Sequence, residues 1–148
     1  MTDTATSGST RTTDRPWHLY LVFDGGSKGN PGKGYGSFVY KGVVNQLDVV
    51  TIEYPGTTTN NEAEYRTMIN GLKAALAAIE AEGHDPSQLK VAVRSDSKLV
   101  VEQVSGNWKI KKAELRPLVQ QAQSLLGRFA AWDLQWHPRS ESVRILGH

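Results

Sequence analysis

Hydrophobic and polar residues alternate along this chain in blocks that predict an α/β protein. Trp17-His18-Leu19-Tyr20-Leu21-Val22-Phe23 is a dense apolar and aromatic run, the mark of a buried central strand. Asp24-Gly25-Gly26 ends it in this reading. The stretch Gly25 to Gly36 holds six glycines and Pro31, which predicts turn and loop. Ser37 to Tyr40 and Gln46 to Tyr54 read as two further strands, with Gly42 and Asn45 marking a hairpin between them. Three strands meandering in succession imply antiparallel pairing.

A helix follows. Tyr65, Met68, Ile69, Leu72, Leu76 and Ile79 fall on one helical face. Thr59-Asn60-Asn61-Glu62 fits a capping box at its start, and Gly83 fits its end. Leu89 to Arg94 reads as a fourth strand, Ser97 to Val104 and Ala113 to Leu126 as helices, and Ala130 to Trp136 as a fifth strand. The expected architecture is a five-stranded mixed sheet, three antiparallel strands then parallel ones, flanked by helices. Residues 1–16 contain no apolar side chain larger than Met1 and predict a disordered tail. The folded domain is expected over 17–148.

Composition narrows the chemistry. With no cysteine, disulfide scaffolds, thiolate metal sites and thiol nucleophiles are excluded. Seventeen basic against 15 acidic residues give a net charge of +2, which permits a nucleic-acid partner without requiring one. No apolar run reaches the roughly 20 residues of a membrane span, and nothing before Trp17 resembles a secretory signal. The expectation is a soluble, cytoplasmic protein with no membrane partner; oligomeric state is left open.

Three acids sit where an open sheet gathers function: Asp24 at the end of the first strand, Asp96 after the fourth, and Glu64 in the first turns of the long helix. Converging carboxylates repel unless a cation lies among them, and all-oxygen donors favour Mg²⁺ or Mn²⁺ over zinc. His18, His84, His137 and His148 are scattered, without the spacing of a zinc site. Few-ligand Mg²⁺ sites share substrate phosphate oxygens, which points to phosphodiester chemistry. Each acid also has an ordinary reading: Asp96 as a helix N-cap, Glu64 as half of a box with Asn61, Asp24 as a turn residue. A P-loop would need Gly at position 27 and Ser or Thr at 34, where Ser27 and Gly34 stand.

Asp24-Gly25-Gly26-Ser27-Lys28-Gly29-Asn30-Pro31-Gly32, Thr58-Thr59-Asn60-Asn61-Glu62-Ala63-Glu64 and Ser95-Asp96-Ser97 resemble three motifs of type 1 ribonuclease H, in order and at matching intervals, from about Leu19 to Glu141. The resemblance implies a ribonuclease H-like fold and cleavage of the RNA strand of RNA–DNA hybrids with two divalent ions, leaving 5′-phosphate and 3′-hydroxyl ends. It implies Asp24, Glu64 and Asp96 as catalytic metal ligands. Gly25, Gly29, Asn30, Thr59, Asn60, Asn61 and Lys98 match substrate-binding positions. Glycine lets backbone approach a minor groove that displays the 2′-hydroxyl; for the asparagines helix capping is the competing role. The chain runs from Gly106 through Trp108-Lys109-Ile110-Lys111-Lys112 into Ala113, similar to compact members without a basic protrusion. Trp108 and these lysines are candidates for the DNA strand, or else a packed Trp among solvated lysines.

Trp136-His137-Pro138-Arg139-Ser140-Glu141 resembles the turn of a fourth motif, but its Asn reads Ser142 and its final Asp reads Leu146. The last helix is therefore expected short or missing, leaving apolar sheet exposed. Glu141 and His148 are the nearby groups, neither in register. The alternative function is a catalytically impaired hybrid-binding module. A transposase-like nuclease is disfavoured by Asn60-Asn61 and the glycine segment.

Overall fold

A computed structural model describes residues 17–147. The tail expected over 1–16, and His148, lie outside the described residues. The elements are β1 (Leu19–Lys28), β2 (Gly32–Gly42), β3 (Val50–Thr58), α1 (Asn60–Ala81), β4 (Lys90–Ser95), α2 (Lys98–Val104), α3 (Arg116–Leu126), β5 (Ala131–Trp136) and α4 (Arg139–Leu146). One five-stranded sheet runs in the order β3-β2-β1-β4-β5. β1–β2 and β2–β3 pair antiparallel, β1–β4 and β4–β5 parallel. The apolar run before Asp24 thus forms the middle of the sheet, as its hydrophobicity demands.

Strand alternation sorts β1 into two faces. Leu19, Leu21 and Phe23 are fully buried and join Phe38, Tyr40, Val91 and Val93 in the core beneath α1. The face of α1 that meets them carries Tyr65, Met68, Leu72, Leu76 and Ile79, the residues its periodicity selects. Val119, Ala122 and Leu126 of α3 complete this layer. On the other face, Tyr20, Val22, Val39 and Ala92 line a groove of about 430 Å³ bordered by Trp136 and by Ile145 of α4.

The glycine-rich segment overturns its expected loop character. β1 continues through Gly25 to Lys28, and β2 begins at Gly32; only the turn between them is irregular. Asp24 therefore lies inside a strand, opposite Ser37, not at its end or in a turn. The glycines serve close packing: a β-carbon at Gly36 would fall 1.9 Å from Thr67 Oγ1 of α1. Their absent side chains let the helix lie on the sheet, and backbone pairing keeps the strand extended. β3 also sits later than the Gln46–Tyr54 expectation, because Asn45 holds the bend by accepting from Gly42 N–H at 3.2 Å and donating to its carbonyl at 3.3 Å. The last helix is short, eight residues, and present. No described helix is long and apolar enough to cross a membrane.

Candidate active site

The local rules of β1, β4 and α1 bring three acids together. β1 and β4 are parallel neighbours with Val22 opposite Arg94, so two residues further on Asp24 and Asp96 leave adjacent strands side by side. Glu64 comes from the first turns of α1. That start is set by a complete capping box: Thr59 Oγ1 accepts from Glu62 N–H at 3.2 Å, and Glu62 Oε1 accepts from Thr59 N–H at 2.9 Å. The same hydrogen bond holds the Glu62 carboxyl below its usual range.

The helix reaches the sheet because residue 25 is glycine. A β-carbon there would lie 2.5 Å from the Ala63 carbonyl oxygen. The approach lets Gly25 N–H donate to Glu64 Oε1 at 2.9 Å. One carboxylate oxygen from each of Asp24, Glu64 and Asp96 lies within 4.8 Å of the other two. Asp24 is 1% and Glu64 8% exposed. Burial, then the charges of Asp24 and Asp96, push the Glu64 carboxyl well above its usual range, and the Gly25 N–H only partly offsets this. Asp96 Oδ2 is buried and takes no hydrogen bond among the described residues. Hard, converging, buried oxygens, one of them without a hydrogen bond, suit a divalent cation such as Mg²⁺ or Mn²⁺, and the residues fit such an ion.

Asp96 is not the helix cap that its position allowed. Ser97 is the N-cap of α2, its Oγ accepting from Val100 N–H at 3.3 Å, which leaves the Asp96 carboxylate to the cluster. Glu64 forms no box with Asn61; its partner is Gly25.

The remaining candidates spread along one rim. Gly29 and Asn30 make the β1–β2 turn. Asn30 Oδ1 accepts from Asn60 N–H at 3.0 Å, and Asn60 Oδ1 accepts from Ser27 N–H at 2.8 Å. Asn60 thus braces that turn against the start of α1, while Thr59 does the capping. Asn61 lies on a second groove, of about 580 Å³, with Leu99, Gln103, Trp108, Lys109 and Lys111. Trp108 is 46% exposed there. The loop bearing it is held from inside: Tyr65 OH donates to Gln103 Oε1 at 2.8 Å, and Gln103 Nε2 donates to the Lys109 carbonyl at 3.2 Å. Burial raises the Tyr65 hydroxyl far above its ordinary pKa, so it stays a donor.

Two residues at the site escaped sequence reasoning. Trp136 donates its indole N–H to the Asp96 carbonyl at 3.1 Å, and Lys98 Nζ stands 5.6 Å from the centre of its ring, within cation–π range. Arg139 Nη1 lies 3.4 Å from Asp24 Oδ2 and 3.5 Å from Asp96 Oδ2. Both residues belong to the Trp136–Glu141 turn motif, whose sequence indicates a turn but not where its side chains point. Leu146, where the family resemblance expects an acid, is 5% exposed. Of its suggested substitutes, Glu141 is engaged with Arg144, and His148 lies outside the described residues. His137 shares a 2.9 Å hydrogen bond with Ser142 Oγ, and burial holds its pKa below the usual histidine value.

A reverse transcriptase-like family model matches residues 23–144. A protein of Mycobacterium tuberculosis, bifunctional protein Rv2228c, is 43% identical over 128 residues, 84% of this chain and 32% of that protein. The chain therefore spans about a third of the length of this relative. The solved N-terminal RNase H domain of Rv2228c superposes with a TM-score of 0.71 at 35% identity, covering 88% of this chain and 91% of the other. Ribonuclease HI of Halobacterium salinarum is 34% identical over 131 residues, 88% of this chain and 62% of that protein. LC11-RNase H1, isolated from compost and solved with an RNA/DNA hybrid, gives a TM-score of 0.72 at 28% identity, over 85% of this chain and 89% of that one.

Proposed function

The chain belongs to the type 1 ribonuclease H family, and from that premise we propose that it is an endonuclease hydrolysing the RNA strand of RNA–DNA hybrids. The products are 5′-phosphate and 3′-hydroxyl ends. The observation that carries the reading is the convergence of Asp24, Glu64 and Asp96 within 4.8 Å in a largely buried cluster. These three carboxylates are the ligands for Mg²⁺ or Mn²⁺, two ions in the full proposal. When bound, paired divalent ions stabilise the attacking and leaving oxygens of an in-line displacement.

The chain's own groups supply binding and orientation. Gly25 N–H fixes the Glu64 carboxylate through its Oε1. The backbone at Gly25 and Gly29 can approach a minor groove and its 2′-hydroxyls. Asn61 presents both donor and acceptor atoms from the neighbouring groove. Asn30 and Asn60 contribute as a braced pair, and Thr59, which caps α1 through Glu62, sets the helix start beside them along the rim that a hybrid backbone would follow. Lys98, seated over Trp136, and Trp108 with Lys109 and Lys111 offer positive charge and aromatic surface to the two strands.

A second reading has its own observation. Leu146 is buried where a fourth acid is expected, which favours hybrid binding with weakened cleavage. Both readings are tested on a labelled RNA–DNA hybrid with Mg²⁺ or Mn²⁺, using the full chain and Asp24→Asn. Metal-dependent cleavage lost in Asp24→Asn supports the nuclease. Salt-sensitive binding without cleavage at high Mn²⁺ supports the binding module. Equal rates for both proteins would refute the enzyme reading.

A further inference from the structure

We infer that Arg139 is an exchangeable internal counter-cation of the carboxylate cluster, competing with divalent ions for Asp24 and Asp96. This rests on reading the cluster as a cation site. The guanidinium nitrogen Nη1 addresses Asp24 Oδ2 and Asp96 Oδ2 together, at 3.4 and 3.5 Å. Those oxygens belong to side chains only 1% and 7% exposed, whereas the Arg139 side chain is 61% exposed. The acids are fixed and the cation is free to leave.

The contact is also loose. A tight charge-assisted N–H···O bond spans about 2.7–2.9 Å, and neither distance reaches that. A half-solvated, long ion pair contributes little on its own. It nevertheless relieves repulsion among three buried acids, and a guanidinium cannot shed its charge. The backbone beneath it is held: Arg139 is the first residue of α4, and Ser142 and Leu146 on that helix are buried. The side chain therefore swings from an anchored base.

A divalent ion on Asp24 Oδ2 and Asp96 Oδ2 would meet this guanidinium at the same oxygens. Ion uptake and Arg139 release are then linked, and each weakens the other by the same factor. Where a fourth carboxylate would add affinity for the ion, this chain offers Leu146 and a resident positive charge.

The test titrates Mn²⁺ alone into the full chain by calorimetry, for wild type, Arg139→Gln, Arg139→Lys and Asp24→Asn. Arg139→Gln is expected to bind Mn²⁺ at least about fivefold tighter, the low end of coupling between linked sites, with Arg139→Lys in between. Without metal, Arg139→Gln is expected to melt below wild type, and saturating Mn²⁺ should reverse the order. Equal or weaker Mn²⁺ affinity in Arg139→Gln overturns the inference while leaving the nuclease reading intact. If neither wild type nor Arg139→Gln binds Mn²⁺, the cluster is no cation site and both readings fall.

Discussion

Gly25 and Glu64, 39 residues apart in sequence, are joined by a 2.9 Å hydrogen bond from the strand's amide to the helix's carboxylate. The bond exists because the α1 backbone touches β1 where no side chain intervenes. One contact thus aligns the sheet, the helix and the glutamate of the acidic cluster.

Replacing that glycine tests the alignment directly. In Gly25→Ala the new methyl would sit 2.5 Å from the Ala63 carbonyl oxygen, against backbone that cannot rotate away. Overpacking of this kind costs about 1–3 kcal/mol. Denaturant unfolding should register that loss, and hybrid cleavage should fall further than stability alone explains, since Glu64 is displaced.

Glu64 gives a pH prediction. Burial and two neighbouring acids raise its folded-state pKa, so the folded protein binds this proton more tightly than the unfolded chain. Its contribution favours folding below the ordinary glutamate range and is lost as pH climbs from there through the raised value. Glu64→Gln keeps an acceptor for Gly25 N–H and removes the titration. Melting curves across pH should show the variant more stable than wild type at neutral pH, with the gap closing in acid, while cleavage is abolished.

Thr59 is expected to matter for stability before it matters for substrate. Thr59→Ala removes the hydroxyl half of the capping box at α1. Such a loss costs about 1 kcal/mol, measurable as a lower denaturation midpoint with an unchanged m-value.

Trp136→Phe separates two roles of one side chain. The phenyl ring still faces Lys98, but the donor to the Asp96 carbonyl is gone. A single hydrogen bond contributes about 0.5–1.5 kcal/mol. The expected signature is a modest stability loss with kcat reduced more than hybrid affinity, because the bond positions an acid of the cluster.

Leu146→Asp, read from sequence, would restore a missing acid and revive cleavage. The burial of that position changes the expected outcome. Removing a buried leucine side chain costs about 2–5 kcal/mol, and an uncompensated charge adds to it. Thermal melts should show a marked loss of stability that offsets any gain in ion binding.

Much of this was legible in the chain itself. The 3.6-residue spacing in α1 marks the buried face that the helix presents. The run before Asp24 marks the central strand, and three motifs at family intervals mark the acids. What was not legible has a shared physical cause: tertiary packing overrode local chemistry. Gly25 to Gly36 reads as loop because glycine disfavours regular structure, yet strand pairing on one side and a helix on the other hold it extended. Asp96 looks like a cap until Ser97 is seen to take that task. Arg139 and Trp136 sit in a stretch whose turn character hides where their side chains go, which depends on β5 lying beside β4.

The sheet order also governs when the site can exist. β1 pairs with β4 at Leu19 and Val91, so the two aspartates meet only once strands far apart in the chain have closed in register, and pairings this distant along a chain form slowly. During synthesis the first acid emerges long before its neighbours and waits inside an incomplete sheet. A chain that has made its hairpin and its long helix but not its parallel strands has not yet brought Asp24 and Asp96 together. The proposed nuclease activity, followed on a growing chain, should therefore appear late, and its onset would time the closure of the parallel half of the fold.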